Sequence, residues 1–323
     1  MVRDKLITSI FFASILATAF VHAGDVEAVV KGDCDVCHVL FPGVPRYELP
    51  YTLCIECHSN ANPDTIKIFG RSNVPIVFNS TKPNRPLAGG NFHFVVGGSG
   101  ERKGHNVDGI SPPDTKFRGS PPGYSRSLDV SAIGYTDTRT LKCSGSNGCH
   151  GNRNIEDPVK AIMGTHHAVD KPLDGSTTAK SYRYLKNSDK VKGVVGNEDG
   201  EWNRNSSPGE HNEYTPSIDA FCESCHGDFH RDDKDGPWFR HPTGIPLPKE
   251  YEYRQYNPEA PVGRTARLES PRGEVNPGSD VVICLSCHVA HASPYESMLR
   301  WDYDSIVTGE KGNGGCLICH TGK

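Results

Sequence analysis

The sequence predicts a multihaem cytochrome c: mostly irregular loops with short α-helices and few short strands, wrapped around a row of haems. Three observations predict it. Glycine (34) and proline (24) together make about 18% of the 323 residues, against roughly 12% in an average protein, so turns outnumber long regular elements. All twelve cysteines fall into six pairs, and every pair ends in Cys-His. Finally, at about fifty residues per pair no segment can bury an independent core, so the attached groups must supply the shared apolar interior.

The pairs are Cys34/Cys37-His38, Cys54/Cys57-His58, Cys143/Cys149-His150, Cys222/Cys225-His226, Cys284/Cys287-His288 and Cys316/Cys319-His320. Five read C-x-x-C-H, the attachment signature of haem c. Two thiols add to the vinyl groups on one edge of the macrocycle, and the adjacent histidine swings beneath the ring to ligate iron. Cys34 to Cys57 also fits the spacing of a zinc knuckle, and an even cysteine count in an exported chain fits a disulfide framework. Neither needs the histidines. Histidine makes up about 5% of the chain, so its presence after all six second cysteines has chance odds on the order of 10⁻⁸.

In chain order, residues 1–23 read as a secretory signal peptide. Arg3 and Lys5 precede an apolar stretch from Leu6 to Phe20, and Val21-His22-Ala23 forms a small-residue cleavage site. That stretch falls short of the roughly 20 apolar residues of a span, so the mature body, 24–323, is expected to be exported without a membrane span. Residues 24–70 form a paired-haem module. Residues 71–215 form a loop-rich region. It opens with the strand-like "VPIVF" and "FHFVV" and continues to the stretched C-x5-C-H site at "CSGSNGCH". In that site the Cys149-His150 half is unaltered, and Cys143 reaches its vinyl through Ser144, Gly145, Ser146, Asn147 and Gly148. Two glycines suit a compact turn that folds the surplus outward; a local Cys143–Cys149 disulfide is the alternative. "EDPVKAIMGTHH" then reads as a short helix capped by Asp157 with Pro158 in its first turn. Residues 216–323 carry the last three sites, the final two as a second paired module. Trp202, Trp238, Trp301 and the tyrosines are expected against the haem faces.

Six haems call for six further axial ligands. Outside the motifs and the signal peptide stand His93, His105, His166, His167, His211, His230, His241 and His291. Methionine hardly competes, because only Met163 and Met298 follow the leader. Bis-histidine ligation throughout is the economical reading. His291, three residues past His288, is too close to serve the same haem and points to a neighbouring one, and His230 in "CHGDFH" is similar. His93 is the weakest candidate.

"KGHNVDG", "CSGSNGCHG" with "GTHH", "HNEY", "FCESCHGDFH", "PWFRHPTGIPLP", "DVVICLSCHVAHASPYESMLRWDY" and "GGCLICHTGK" together resemble a group of exported multihaem c-type cytochromes of metal-reducing bacteria with doubled CXXCH motifs. The resemblance covers most of the mature chain and is most specific from residue 211 onward. It implies that His105, His166, His167, His211, His230, His241 and His291 are the recurrent ligand positions, that His93 is not one, and that the stretched site binds haem c.

The expected function is electron relay through six haems, in the periplasm or at the cell surface, toward other redox proteins or extracellular metal acceptors. Two alternatives are a homopolymeric filament subunit and, less economically, a multihaem reductase. A reductase needs an iron with an open or unusual axial position, whereas here every site ends in histidine and distal candidates are in surplus. Nucleic acid is not an expected partner. The formal charge is −4, and loss of residues 1–23 leaves 33 Lys+Arg against 38 Asp+Glu, or −5, with no basic run. Two propionates per haem take six haems toward about −17 when fully ionised, which favours docking to basic patches.

Overall fold

The computed structural model describes residues 53–69, 72–84, 86–96, 101–113, 121–124, 141–163, 166, 185–186, 196–197, 213–214, 216–230, 243–254, 257, 259–264, 274–307 and 315–320. The expected signal peptide at 1–23, with Cys34, Cys37, His38, His167, His211, His241, Trp202 and Trp238, lies outside the described residues. Of His230 only the backbone is described.

Loops dominate. The helices are α1 (Leu53–His58), α2 (Pro158–Ala161), α3 (Ser217–His226) and α4 (Cys284–Cys287). Strands are two to five residues long. β1 (Ser59–Asn60) pairs in parallel with β4 (Phe78–Asn79), and β2 (Ile66–Phe69) pairs antiparallel with β3 (Ser72–Pro75). β5 (Lys142–Ser144), β6 (Gly148–Asn152) and β7 (Leu185–Lys186) form a parallel sheet in that order. β8 (Gly196–Asn197) and β9 (Glu213–Tyr214) pair antiparallel. Among the described residues no helix is long and apolar enough to cross a membrane.

Two local readings of the sequence need correction. "FHFVV" does not form a strand: Phe92–Val95 is a 3₁₀ turn. Asn91 precedes it with extended backbone, and its side chain accepts from the His93 amide at 3.0 Å, a cap that closes the turn despite the alternating pattern. The helix after Glu156 does start as read, with Asp157 Oδ1 accepting from Val159 and Lys160 amides at 2.9 and 3.0 Å. It ends at Ala161, however, so His166 lies beyond it and not on its face.

Apolar burial is split into small clusters instead of one core. Ile218, Val281, Ile283 and Leu285 pack with Phe221 and Cys222; Phe92, Val95, Val107 and Ala292 pack with Leu141 and Cys143; Leu247, Val262 and Val275 form another. Two of these clusters thus include an attachment cysteine. A fully buried asparagine pair stiffens the second: Asn91 Nδ2 donates to Asn79 Oδ1 at 2.7 Å, and Asn79 Nδ2 donates to the carbonyls of Asn62 and Asp64 at 2.7 and 2.9 Å.

Candidate functional site: a row of Cys-His sites

The C-x-x-C spacing becomes one turn of helix at each described five-residue motif. Cys54 and Cys57 lie on α1, Cys222 and Cys225 on α3, Cys284 and Cys287 at the ends of α4, and Cys316 and Cys319 on or against the 3₁₀ turn Gly315–Ile318. Residues three apart on a helix share a face at about 5–6 Å between Cβ atoms, so both thiols address one edge of a flat ring. The stretched site reaches the same end by another scaffold. β5 and β6 pair with Lys142 opposite Gly148 and Ser144 opposite His150, which sets Cys143 across from Cys149. Adjacent strands lie about 4.8 Å apart, close to the spacing that a helical turn gives.

The inserted residues do not loop outward as the composition suggested. Ser144, Gly145, Asn147 and Gly148 are buried. Ser144 Oγ donates to the Pro158 carbonyl at 2.7 Å, and the Lys142 amide donates to the Asn147 carbonyl at 2.8 Å. Gly145 has φ +88°, and a Cβ there would meet Glu156 O at 2.6 Å. The surplus is therefore folded inward against the start of α2. Cys143 and Cys149 are both free cysteines, so the local disulfide is not formed.

The sites abut in sequence order. Cys54 and Cys143 hydrogen-bond through their side chains, which lowers the Cys54 thiol pKa and raises that of Cys143. Cys149 lies within electrostatic reach of Cys225; burial pushes its pKa up to about 11, with Arg153 opposing. Cys222 and Cys284 hydrogen-bond, raising Cys284. Burial first, then Cys316 and Cys319, push Cys287 up to about 11. Attachment converts each thiol to a thioether, so these values belong to the protein before attachment. The adjacency carries over: a row running through the sites of His58, His150, His226, His288 and His320.

Three motif histidines face a histidine from elsewhere in the chain. Ring centroids are 6.3 Å apart for His58 and His166, 6.2 Å for His150 and His291, and 6.1 Å for His226 and His105. A metal–imidazole bond of about 2.0–2.1 Å on each side, with the ring centre roughly another ångström beyond each nitrogen, puts two opposed axial imidazoles about 6 Å apart. The pairs are spaced for one ion between them. Among the described residues no group of three or more His, Cys, Asp or Glu side chains is arranged to hold a metal. Two axial ligands leave the equatorial positions to a macrocycle, and the residues present therefore fit haem c.

Second partners orient the rings. The Nδ1 atoms of His58, His105, His226 and His288 lie 2.8, 2.8, 2.6 and 2.7 Å from the carbonyls of Pro75, Ala290, Pro122 and Ser297. A carbonyl only accepts, so Nδ1 carries the proton and Nε2 is left bare for metal. Burial is the leading cause that lowers the pKa of each of these four, His105 to about 4. His105 and His291 are set against each other: the His105 amide donates to the His291 carbonyl at 2.9 Å, and His291 stacks on Phe92 at 4.7 Å. His93 bonds the Asn79 carbonyl through Nδ1 at 2.9 Å and meets Phe94 edge-on, a packing role.

Comparison with known proteins bears on the two C-terminal sites. Residues 275–323 match the family model of the doubled CXXCH motif. That span holds the Cys284–His288 and Cys316–His320 sites. No curated protein matches the chain. Among solved structures, the chain is similar to the outer membrane cytochrome S filament from Geobacter sulfurreducens, at 20% identity over 79% of this chain and 75% of that one, TM-score 0.46. It is likewise similar to the OmcS nanowires of Geobacter sulfurreducens, at 20% identity over 76% and 73%, TM-score 0.49.

Sequence reasoning missed the pairing of histidines and two buried groups beside the cysteines. Asp219, one turn before Cys222, accepts from the Cys284 amide at 2.7 Å and so ties two sites together. Arg153 lies between the His150 and His226 sites. Neither stands out in the sequence, because each touches a site brought near only by the fold.

Proposed function

We propose that the chain is an electron-transfer protein carrying six covalently attached haems c with histidine on both axial positions. The observation that carries this is the set of three motif histidines each opposed, at 6.1–6.3 Å, by a histidine from a distant segment. Bound haem c supplies reversible one-electron iron chemistry. The protein's residues do the rest. Paired cysteines would hold each ring by one edge, and opposed imidazoles, of which His58, His105 and His226 are anchored on carbonyls, would close the iron against substrate. The abutting cysteines keep successive groups near enough for electrons to pass. In this reading His166 serves the His58 site, His291 the His150 site and His105 the His226 site. Three of His167, His211, His230 and His241 supply the remaining three sites.

Intact mass and absorption spectra of the purified holoprotein test it. Six added macrocycles and low-spin spectra throughout are expected; a high-spin fraction in the native protein would favour a reductase. An exported location, redox proteins or extracellular metals as partners, and self-assembly of the kind named for the two filament structures extend the proposal. Fractionation and electron microscopy of the secreted material check these.

A further inference from the structure

Among the described residues Arg153 is a buried cation with no carboxylate beside it. It follows β6 directly, three residues past His150, and is 2% exposed. One terminal nitrogen donates to Ser224 Oγ at 3.0 Å, the other lies 3.8 Å from Cys225 Sγ, and the guanidinium carbon is 5.9 Å from the centre of the Phe221 ring. Its Nε is buried with no hydrogen-bond partner. Hydroxyl, sulfur and phenyl are all neutral neighbours, and among the described residues no carboxylate pairs with it. Arg264 is the contrast: 3% exposed, it faces Asp280 at 3.1 Å.

A guanidinium stays protonated in proteins, and arginine is almost never fully buried unless paired. Its desolvation therefore needs compensation from something that gains negative charge beside it. The position suggests what that is. Ser224 and Cys225 belong to the Cys222/Cys225 site, and Arg153 directly follows the strand that carries Cys149 and His150. Two attachment sites thus share one fixed positive charge.

We propose that Arg153 raises the reduction potentials of the haems attached at Cys143/Cys149 and Cys222/Cys225, so that electrons settle in the middle of the row. The proposal rests on the haem reading given under Proposed function. Each reduction takes one electron from a redox partner, converts ferric to ferrous iron and needs no proton. The charge beside Arg153 falls by one, and the buried cation favours that change. A unit charge acting through an effective dielectric of about 20 at this range changes the reduced-to-oxidised ratio by roughly tenfold, which is about 59 mV for one electron. Because the charge is buried, added salt does not screen it away.

The test is a spectroelectrochemical titration of the full-length holoprotein and its variants R153Q, R153K and S224D, each first weighed for haem content. In R153Q two of the one-electron steps are expected to move to lower potential, each by roughly tenfold in ratio, while the others stay. R153K, read at a pH low enough to keep a buried lysine protonated, is expected to hold the native curve. S224D sets a carboxylate against the guanidinium and is expected to lower the same two steps, so it decides the matter if R153Q does not mature. A fully loaded R153Q or S224D whose curve superimposes on the native one would overturn the proposal. So would an R153K curve displaced as far as that of R153Q at a pH where the buried lysine is protonated, because packing and not charge would then be responsible. A native protein without haem would instead remove the reading beneath it.

Discussion

Four imidazoles along the row, those of His58, His105, His226 and His288, are anchored in the same way, by Nδ1 on a backbone carbonyl. That one bond selects the tautomer, fixes the ring plane and leaves Nε2 to the metal. Removing an opposing ring should therefore act on one site alone. H166A is expected to convert one haem in six, that of His58, to a high-spin form, with low-spin spectra restored by added imidazole; an unchanged spectrum would remove His166 from the ligand set. The pH response has a definite sign. His105 is held down to about 4, chiefly by burial and then by His226 and His288, against the Ala290 carbonyl. Free histidine titrates near 6.5, so between those values the detached state binds more protons than the folded one. The site's stability is complete above about pH 6.5 and is lost as the pH falls through the folded value. An acid titration of the absorption spectrum should show ligand loss at the His105–His226 site no higher than that window, because iron competes with the proton for Nε2 and the value of about 4 belongs to the metal-free imidazole. At this scale the Cys-His motifs are legible in the sequence, because the two residues are adjacent wherever they occur. The pairings are not, because His291 sits three residues from His288 yet faces His150. Only contacts between distant segments decide that.

Two different local structures deliver a pair of thiols to one edge of a ring. In α1, α3 and α4 a helical turn does so through the three-residue periodicity written into C-x-x-C. Between β5 and β6 a parallel pairing does so across five intervening residues. The second scaffold could not be read from the sequence. It depends on the Ser144–Pro158 bond and on close approach of the loop to the start of α2, and small polar residues look the same whether they face water or backbone. The strand-like "FHFVV" failed for a related reason: the Asn91 cap overrode its alternation, although an asparagine before the run was a visible signal. Gly145 is where the stretched scaffold is most vulnerable, since its φ of +88° and its contact with Glu156 O both exclude a side chain. G145V should destabilise the loop by about 1–3 kcal/mol and yield material with five haems by intact mass. Gly104 is the matching point for the axial ligands. Its Cβ would meet the His291 carbonyl at 2.6 Å as well as the Ala292 side chain, where the chain bridges to Ala292 and leads directly into His105. G104A is expected to disturb His105 and His291 together, so the sites of His226 and His150 should lose low-spin character in the same variant, whereas H166A touches neither.

Across the whole molecule, the small apolar clusters gather beside the attachment sites, with Cys222 in one and Cys143 in another. Clusters of this size cannot offset the ordering of so long a chain on their own. Expressed without the haem-attachment machinery, the protein should lack helical circular dichroism and be cut rapidly by protease. The sequence made this much legible, because glycine and proline content and the number of sites leave no room for an aliphatic core. The same groups set the electrostatics. A chain of formal charge −4 becomes far more acidic once each haem adds two propionates, and the exposed part of that charge meets partners first. Opposite charge speeds encounter more than it strengthens the final complex, and at about 0.15 M salt exposed charges are screened beyond roughly 8 Å. The rate of electron exchange with a basic redox partner should therefore fall steeply as salt is raised from about 0.01 M, where screening extends to roughly 30 Å. The potentials of the haems beside buried Arg153 should barely move over the same range. Stopped-flow rates and potentials measured across one salt series separate the two, and a rate indifferent to salt would rule out charge-guided docking.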